Sequence, residues 1–453
     1  MPFYSSKDGH LFVDGEELTE LDITSSFGQI SDFAFFNCTG ITRLNIQDAA
    51  VKIGIFAFNG CDNLSWVNVP SLTDWFSLCQ NSFFSTSVTN GFSVTTTYRP
   101  AHLMIAGEEV TNLLVPESVS SIPDNAFSNM ESLISVSFSG GVCTIGNSAF
   151  RNCQGLKNLS FNNESVSFGD RAFSGCSGIE RISFGEGNVA IGNNSFAECE
   201  KLKEISFGGG SVSIKRNAFE NCNALTRANI PSVKFICSSI NLVSEDASPF
   251  YSSKEGHLFI NGTELTGLIF PETVSSVNKW AFINCTGITD ITLRNGVGIS
   301  YLDVANCSGL RNVHLDKLET WLELQSGSLF QRSWSFGGHL CLGDEEILDF
   351  VVPEGIELIG RNAFDYCKYL KSVTIASSVT EMEEDVFSCT QLEKIVMKPE
   401  TPPSCTASTA SLTGSPTLTF RGVQCPILVP AQSVDLYKST WPGLANLITA
   451  NPN

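Results

Sequence analysis

Side chains able to do chemistry recur in this sequence at regular places. Four of the five histidines, His10, His102, His257 and His339, stand in a Gly/Ala-His-Leu context. As equivalent residues of separate modules they lie far apart and share no metal ion, so a structural hydrogen bond is expected at each. His314, in Asn-Val-His-Leu, is expected in a strand without a local partner. The carboxylate pairs Glu16-Glu17 and Glu345-Glu346 read as solvated hairpin residues. Sixteen cysteines suggest a disulfide framework at first sight. Eleven of them (Cys38, Cys61, Cys79, Cys153, Cys176, Cys199, Cys222, Cys285, Cys307, Cys367 and Cys389) read as one repeat position. Rung-to-rung disulfides and a ladder of buried reduced thiols both stay open, and Met130 at the same position favours the thiols. With no Cys-x-x-Cys, zinc is not expected. No Gly-x-Ser-x-Gly, His-Glu-x-x-His, phosphate loop, Gly-x-Gly-x-x-Gly or EF-hand run occurs. Gly208-Gly209-Gly210 reads as a turn, and neither a catalytic residue nor a cofactor is expected.

The elements that hold these groups are written as a repeat. Ala-Phe-x-(Asn/Gly)-Cys occurs at 34–38, 57–61, 149–153, 172–176, 218–222 and 281–285, with variants at 126–130, 195–199, 303–307, 363–367 and 386–389. Phe127, Phe150, Phe173, Phe196 and Phe219 follow one another at 23-residue steps. Ahead of each such turn, Leu-x-x-Ile-x-Phe ends with period-two alternation, the mark of a short strand. A second extended or turn stretch follows it. Asn or Gly before the cysteine suits left-handed backbone angles. One rung alone buries too little apolar surface to offset its backbone entropy. Rungs must therefore stack into a solenoid, mostly β, in which like residues form columns.

A longer repeat is superimposed. Residues 2–23 (PFYSSKDGHLFVDGEELTELDI) match 249–270 (PFYSSKEGHLFINGTELTGLIF) at most positions, with weaker copies at 102–115 and 339–352. Asp14-Gly15 and Asn261-Gly262 signal tight two-residue hairpins. Hairpin-containing insertions are thus expected near 1–23, 71–115, 231–270 and 316–352, with Trp75, Phe235 and Trp321 as anchors ahead of Ser/Asn-rich loops. The solenoid is expected over 1–397. Residues 398–453 read as a cap with a final strand and a short helix from about Ser433. Because the chain opens where the copy begins at Pro249, further sequence is expected ahead of it in the natural protein.

The outward positions of the strands offer a surface. Ser135, Ser137, Asn158, Ser160, Arg181, Ser183, Glu204, Ser206, Arg227 and Asn229 are expected on one face as a hydroxyl-rich stripe with a few charges. Asn45, Asn68, Thr292, His314 and Thr374 continue it. Short side chains also simply suit the inside of a curved sheet. Eight Asn-x-Ser/Thr sequons (Asn37, Asn63, Asn158, Asn163, Asn193, Asn261, Asn284, Asn306) are present, three of them by-products of the Asn-Cys turn.

These repeats resemble the BspA-like (treponemal-type) leucine-rich repeat family. Leu113-Leu-Val-Pro-Glu-Ser-Val-Ser-Ser-Ile122 and Phe350-Val-Val-Pro-Glu-Gly-Ile-Glu-Leu-Ile-Gly360 carry the likeness, each followed by an Ala-Phe turn. Phe-Gly replaces Ile-Pro in the middle rungs. The resemblance implies a right-handed α/β repeat superhelix with β-hairpin insertions, mostly β. It also implies a non-enzymatic bacterial protein, secreted or at the cell surface, that binds a host matrix or surface protein or a glycan. A glycan-handling accessory and a structural cell-envelope spacer are the alternatives; the six scattered tryptophans speak against the former. A monomer is expected. Over 453 residues the net charge is −20, which argues against nucleic acid and anionic membrane surfaces. No stretch is long and apolar enough to span a membrane, and no signal peptide is visible in the opening residues.

Overall fold

The rung that starts at Asn158 shows how the pattern becomes structure. Strand Asn158–Phe161 turns Leu159 and Phe161 inward, to 2% and 1% exposure, and Asn158 and Ser160 outward. Strand Ser165–Phe168 buries Val166 and Phe168 in the same way. Each pairs in parallel with its counterpart 23 residues on, Asn158 with Arg181 and Ser165 with Asn188. On the third side the Ala-Phe turns bond to one another. The Phe150 amide donates to the Ala172 carbonyl and the Phe173 amide to that of Ser195, both at 2.7 Å. Backbone hydrogen bonds thus run from rung to rung on all three sides. The computed structural model describes residues 8–48, 50–79, 83, 85–90, 93–98, 100–138, 143–161, 165–294, 296–300, 302–322, 338–388, 391–406 and 416–452. They form a mostly β solenoid, in two compact units: 1–229 with 242–253, and 230–241 with 254–453.

The turns use the expected left-handed position. Asn129, Asn152, Gly175 and Asn221 have φ of 66°, 61°, 76° and 61°, and Glu198 shares it at 62°. A second left-handed residue precedes each alanine, as at Asn125, Ser148 and Arg171, and no single residue type marks it in the sequence. Phenylalanines fill the centre as a stack of nearly parallel rings. Centroids lie 5.1 Å apart for Phe127–Phe150, 4.9 Å for Phe150–Phe173, 5.4 Å for Phe173–Phe196 and 5.6 Å for Phe196–Phe219. Gly208 and Gly210 belong to a close approach between rungs. A Cβ there would lie 2.0 Å and 2.2 Å from the carbonyl oxygens of Gly185 and Gly187.

The 14 cysteines whose side chains are described are free thiols. In the ladder, the Sγ atoms of Cys153, Cys176, Cys199 and Cys222 donate to the carbonyls of Phe127, Phe150, Phe173 and Phe196 at 2.9–3.4 Å. Burial pushes the Cys153 and Cys199 thiols far up, and Cys307 up to about 12. Cys79 does not belong to this column. It ends a helix and donates to the Phe76 carbonyl, because no Ala-Phe turn precedes it. Cys389 lies outside the described residues. We expect no labelling of the ladder thiols by a maleimide at pH 8 in the native protein and full labelling in denaturant. Native labelling of Cys176 or Cys199 at the rate of a small-molecule thiol would contradict the ladder.

The anchors Trp75, Phe235 and Trp321 sit on short helices: α1 (Leu72–Leu78), α2 (Val233–Ser238) and α3 (Leu318–Leu322). Ser71 and Ser232 cap the first two, accepting from the amides of Asp74 and Phe235. The segment after α1 adds an antiparallel hairpin, Ser85–Asn90 with Ser93–Tyr98. Helices α1 and α3 solve a specific problem. Inside a run of rungs, each Ala carbonyl of an Ala-Phe turn accepts from the phenylalanine amide one rung earlier. Ala126 and Ala363 open their runs and lack such a neighbour. The indole Nε1 of Trp75 reaches the Ala126 carbonyl at 2.8 Å, and that of Trp321 reaches Ala363 at 2.7 Å.

The C-terminal residues finish the second unit by continuing both columns. Strands Asp349–Val351, Ser372–Ile375, Lys394–Met397, Ile427–Val429 and Ile448–Ala450 form one parallel sheet. Phe420, just after helix α4 (Pro416–Thr419), stacks on Phe387 at 5.1 Å, and Trp441 covers Phe420 at 5.2 Å. Tyr437 on α5 (Val434–Thr440) donates its hydroxyl to the Pro399 carbonyl at 2.8 Å.

Candidate binding surface

Short strands with one buried face leave their alternate residues pointing away from the core. Strands Asn158–Phe161, Arg181–Phe184, Glu204–Ser206 and Arg227–Asn229 lie side by side in register in the first unit. This aligns Asn158, Arg181, Glu204 and Arg227 in one outward row and Ser160, Ser183, Ser206 and Asn229 in the next. Ser135 and Ser137 are on strand Ser135–Phe138, which pairs with Asn112–Val115 rather than with these four. That strand also lies beside Asn158–Phe161, with the Phe138 and Phe161 rings 5.1 Å apart, so Ser135 and Ser137 stand one rung before Asn158 and Ser160; Ser135 donates to Asn112 Oδ1 at 2.6 Å.

The rows bind themselves. Glu204 takes Arg181 at 3.5 Å and Arg227 at 3.9 Å, and Asn229 donates to Glu204 at 2.5 Å and to Ser206 at 2.8 Å. Ser183 donates to Ser160 at 3.1 Å. Such exposed ion pairs contribute little stability, well under about 1 kcal/mol each. The hydrogen bonds of Ser183 and Ser206 run to other uncharged side chains.

Strands Glu20–Ile23, Arg43–Ile46, Trp66–Val69 and His102–Ile105 form a second such face, also in the first unit. Asn45 donates to Asp22 at 2.8 Å, Asn68 to Asn45 at 2.7 Å, and the Gly107 amide to Asn68 at 3.0 Å. Trp66 is sandwiched between the Arg43 guanidinium, 5.2 Å from the indole centroid, and the His102 ring at 4.0 Å. The Arg43–Trp66 pair was legible from the 23-residue step. His102 was not, because the helix and hairpin between Trp66 and His102 break the count.

The conserved geometry of the histidines is a clasp across a hairpin. Nδ1 of His10, His102, His257 and His339 meets a carboxylate oxygen of Glu17, Glu109, Glu264 and Glu346 at 2.5–2.6 Å. The second glutamate of each hairpin pair is therefore not merely solvated: turn geometry sets it diagonally across from the histidine. The turns Asp14-Gly15, Ala106-Gly107 and Asn261-Gly262 have positive φ at both residues, as a two-residue hairpin requires. His102–Ile105 and His339–Leu342 each continue a parallel sheet as its next rung. Neighbouring residues pack on the clasp, Gly40 beside His10 and Glu17, and the Tyr369 ring 3.7 Å from that of His339.

The clasp gives a pH dependence of definite sign. The hydrogen bond with Glu17 raises the His10 pKa above its usual 6.5, so this contribution is complete below pH 6.5 and is lost as pH climbs through the raised value. The hydrogen bond from His102 lowers Glu109 below 4.5, so that contribution is complete above pH 4.5 and is lost as pH falls through the lowered value. Thermal unfolding of His10→Gln is expected to approach the parent's at alkaline pH, and that of Glu109→Gln to approach it in acid. A gap independent of pH from 3 to 9 would rule the clasps out as ionic contacts.

His314, expected without a local partner, meets two groups from distant parts of the chain. Nδ1 lies 2.8 Å from the Gly343 carbonyl and Nε2 3.4 Å from Asp290, because the hairpin at 339–346 folds its turn over this strand position. Burial raises the Asp290 carboxyl, but hydrogen bonds from Thr289, Asn312 and His314 outweigh it and leave the group below its usual range. Among the described residues no group of His, Cys, Asp and Glu is placed to hold a metal ion. Of the sequons, Asn37 and Asn284 are buried, and Asn163 lies outside the described residues. No helix among the described residues is long and apolar enough to cross a membrane.

Comparison with known proteins gives one family. The model described as BspA type leucine rich repeat region matches residues 8–133, 120–244, 251–331 and 339–408. Among solved structures, a leucine-rich repeat protein from Bacteroides ovatus is 18% identical, covering 98% of this chain and 90% of that one, with a TM-score of 0.39. The pneumococcal vaccine antigen PcpA is 16% identical over 81% and 88%, also at 0.39. A leucine rich cell surface protein from Faecalibacterium prausnitzii is 19% identical over 85% and 80%, at 0.21. No curated protein matches the chain.

Proposed function

Because the chain belongs to the BspA-type leucine-rich repeat family, we propose that it is a non-enzymatic binding or adhesion protein. It acts at the cell surface or after secretion, and it recognises a host or environmental protein or glycan. The carrying observation is the pair of outward polar rows held in register between Asn158 and Asn229. Rigid parallel strands present hydroxyl, amide and guanidinium groups at fixed spacing, which lowers the ordering cost of binding. With a net charge of −20, nucleic acid is not among the partners.

The test is an array of immobilised matrix glycoproteins, cell-surface proteins and polysaccharides. At least one partner is expected to bind saturably. The double variant Arg181→Glu/Arg227→Glu is expected to weaken it about tenfold or more by placing three carboxylates side by side. Unchanged binding would move the site off this face, and an empty array would sink the adhesion reading. A structural cell-envelope spacer is the second reading, favoured by the hydrogen bonds with which the rows satisfy one another. A glycan-handling accessory comes third.

A further inference from the structure

The face around Trp66 contains a recess that the polar rows do not explain. It is a half-open depression of about 210 Å³, lined by Glu20, Arg43, Asn45, Trp66, Asn68 and Met104. Its chemistry is unbalanced. Arg181 and Arg227, at the equivalent strand position, both reach Glu204. Arg43 has no carboxylate or carbonyl partner among the described residues and lies over the Trp66 ring, 5.2 Å from its centroid. His102 backs the other side of the indole, and Glu109 clasps His102, so the guanidinium rests on a fixed platform. The Asn45 and Asn68 amides each spend one N–H on the ladder and keep a second. The indole N–H of Trp66 also has no acceptor among the described residues. Donors therefore outnumber acceptors, with Glu20 the one carboxylate lining the recess.

We propose that this recess binds a sugar that carries a carboxylate, a hexuronate or a sialate. The carboxylate pairs with the forked Arg43 guanidinium, which favours planar, bidentate acceptors. Ring hydroxyls accept from Asn45, Asn68 and the Trp66 N–H, and one of them donates to Glu20. Met104 and the indole edge cover the apolar side of the ring. The recess is smaller than the roughly 300–1,000 Å³ that engulfs a drug-sized ligand, so it takes one ring of a longer glycan. A Kd on the order of 1 mM per site follows from so open a contact. The inference rests on the reading of the chain as a binding protein, but not on the rows between Asn158 and Asn229.

Calorimetric titration of the whole chain with trigalacturonate and with 3′-sialyllactose separates the two sources of the acid group. Maltotriose, lactose and triglutamate serve as neutral and peptide controls. One acidic saccharide is expected to saturate, at least about tenfold tighter than any control, and to quench part of the tryptophan fluorescence. Arg43→Gln is expected to weaken it about tenfold or more with the unfolding temperature unchanged, while Arg216→Gln, at an exposed arginine outside both faces, leaves it intact. Equal binding of neutral sugar or of triglutamate overturns the proposal, as does loss in Arg216→Gln rather than Arg43→Gln. Absence of any saccharide binding up to about 10 mM overturns it too. A protein partner found on the array and insensitive to Arg43→Gln would leave the adhesion reading standing without this site.

Discussion

Phe173→Ala is expected to remove about 3–5 kcal/mol from the stability of the first unit, the range for a fully buried phenylalanine. Phe173 is 0% exposed and lies between Phe150 at 4.9 Å and Phe196 at 5.4 Å. Its removal opens a cavity that the neighbouring rungs cannot close. Their spacing is held by backbone hydrogen bonds on three sides, so collapse would break those bonds. For a unit of this size each kcal/mol corresponds to about 2–4 °C in unfolding temperature. The control is Ile134→Ala, at a side chain 51% exposed, which is expected to stay within about 0.5 kcal/mol of the parent. A Phe173→Ala protein within 1 kcal/mol of the parent in urea unfolding would refute the stacked column as the main source of stability.

The second large effect is expected at Trp75, and its two substitutions separate packing from hydrogen bonding. Trp75→Ala removes a side chain only 2% exposed and is expected to cost about 3–5 kcal/mol. Trp75→Phe keeps most of the packing but takes away the N–H that meets the Ala126 carbonyl. It leaves a buried acceptor without its donor, at about 1–3 kcal/mol. The matching Trp321→Phe is expected to do the same at Ala363. If Trp75→Phe proves neutral, the indole is only filling space and the account of how a run of rungs is started fails.

What the sequence disclosed follows from how far each interaction reaches. Rung position, inward residues and the hairpin turns repeat at fixed steps, so the Phe127–Phe219 column and the Asp14-Gly15 and Asn261-Gly262 turns could be read directly. Helices α1, α2 and α3 could not. Each has seven residues or fewer, too short for a helical period to outweigh its surroundings. Ser71-x-x-Asp74 was the one local signal. The histidine clasps were written as a seven-residue step from His to Glu. That spacing gains meaning only when a two-residue turn brings the strands together. The outward rows were legible as far as Asn158 to Asn229. Ser135 and Ser137 stand one rung before them, on a strand whose backbone pairing runs to Asn112–Val115, a break in the ladder that sequence phase does not mark.

The hairpins have a consequence for how such a chain can grow. In the first unit the strand Glu108–Glu109 runs antiparallel along the edge of its sheet, and the next strand, Asn112–Val115, opens another. In the second unit Glu345–Glu346 closes one sheet and Asp349–Val351 begins the next. Each hairpin is thus a seam where one hydrogen-bonded run stops and another can start afresh. A block bounded by two seams can be duplicated or lost without leaving an unpaired edge inside the stack. The match of residues 2–23 to 249–270 at 15 of 22 positions is the trace that such copying would leave.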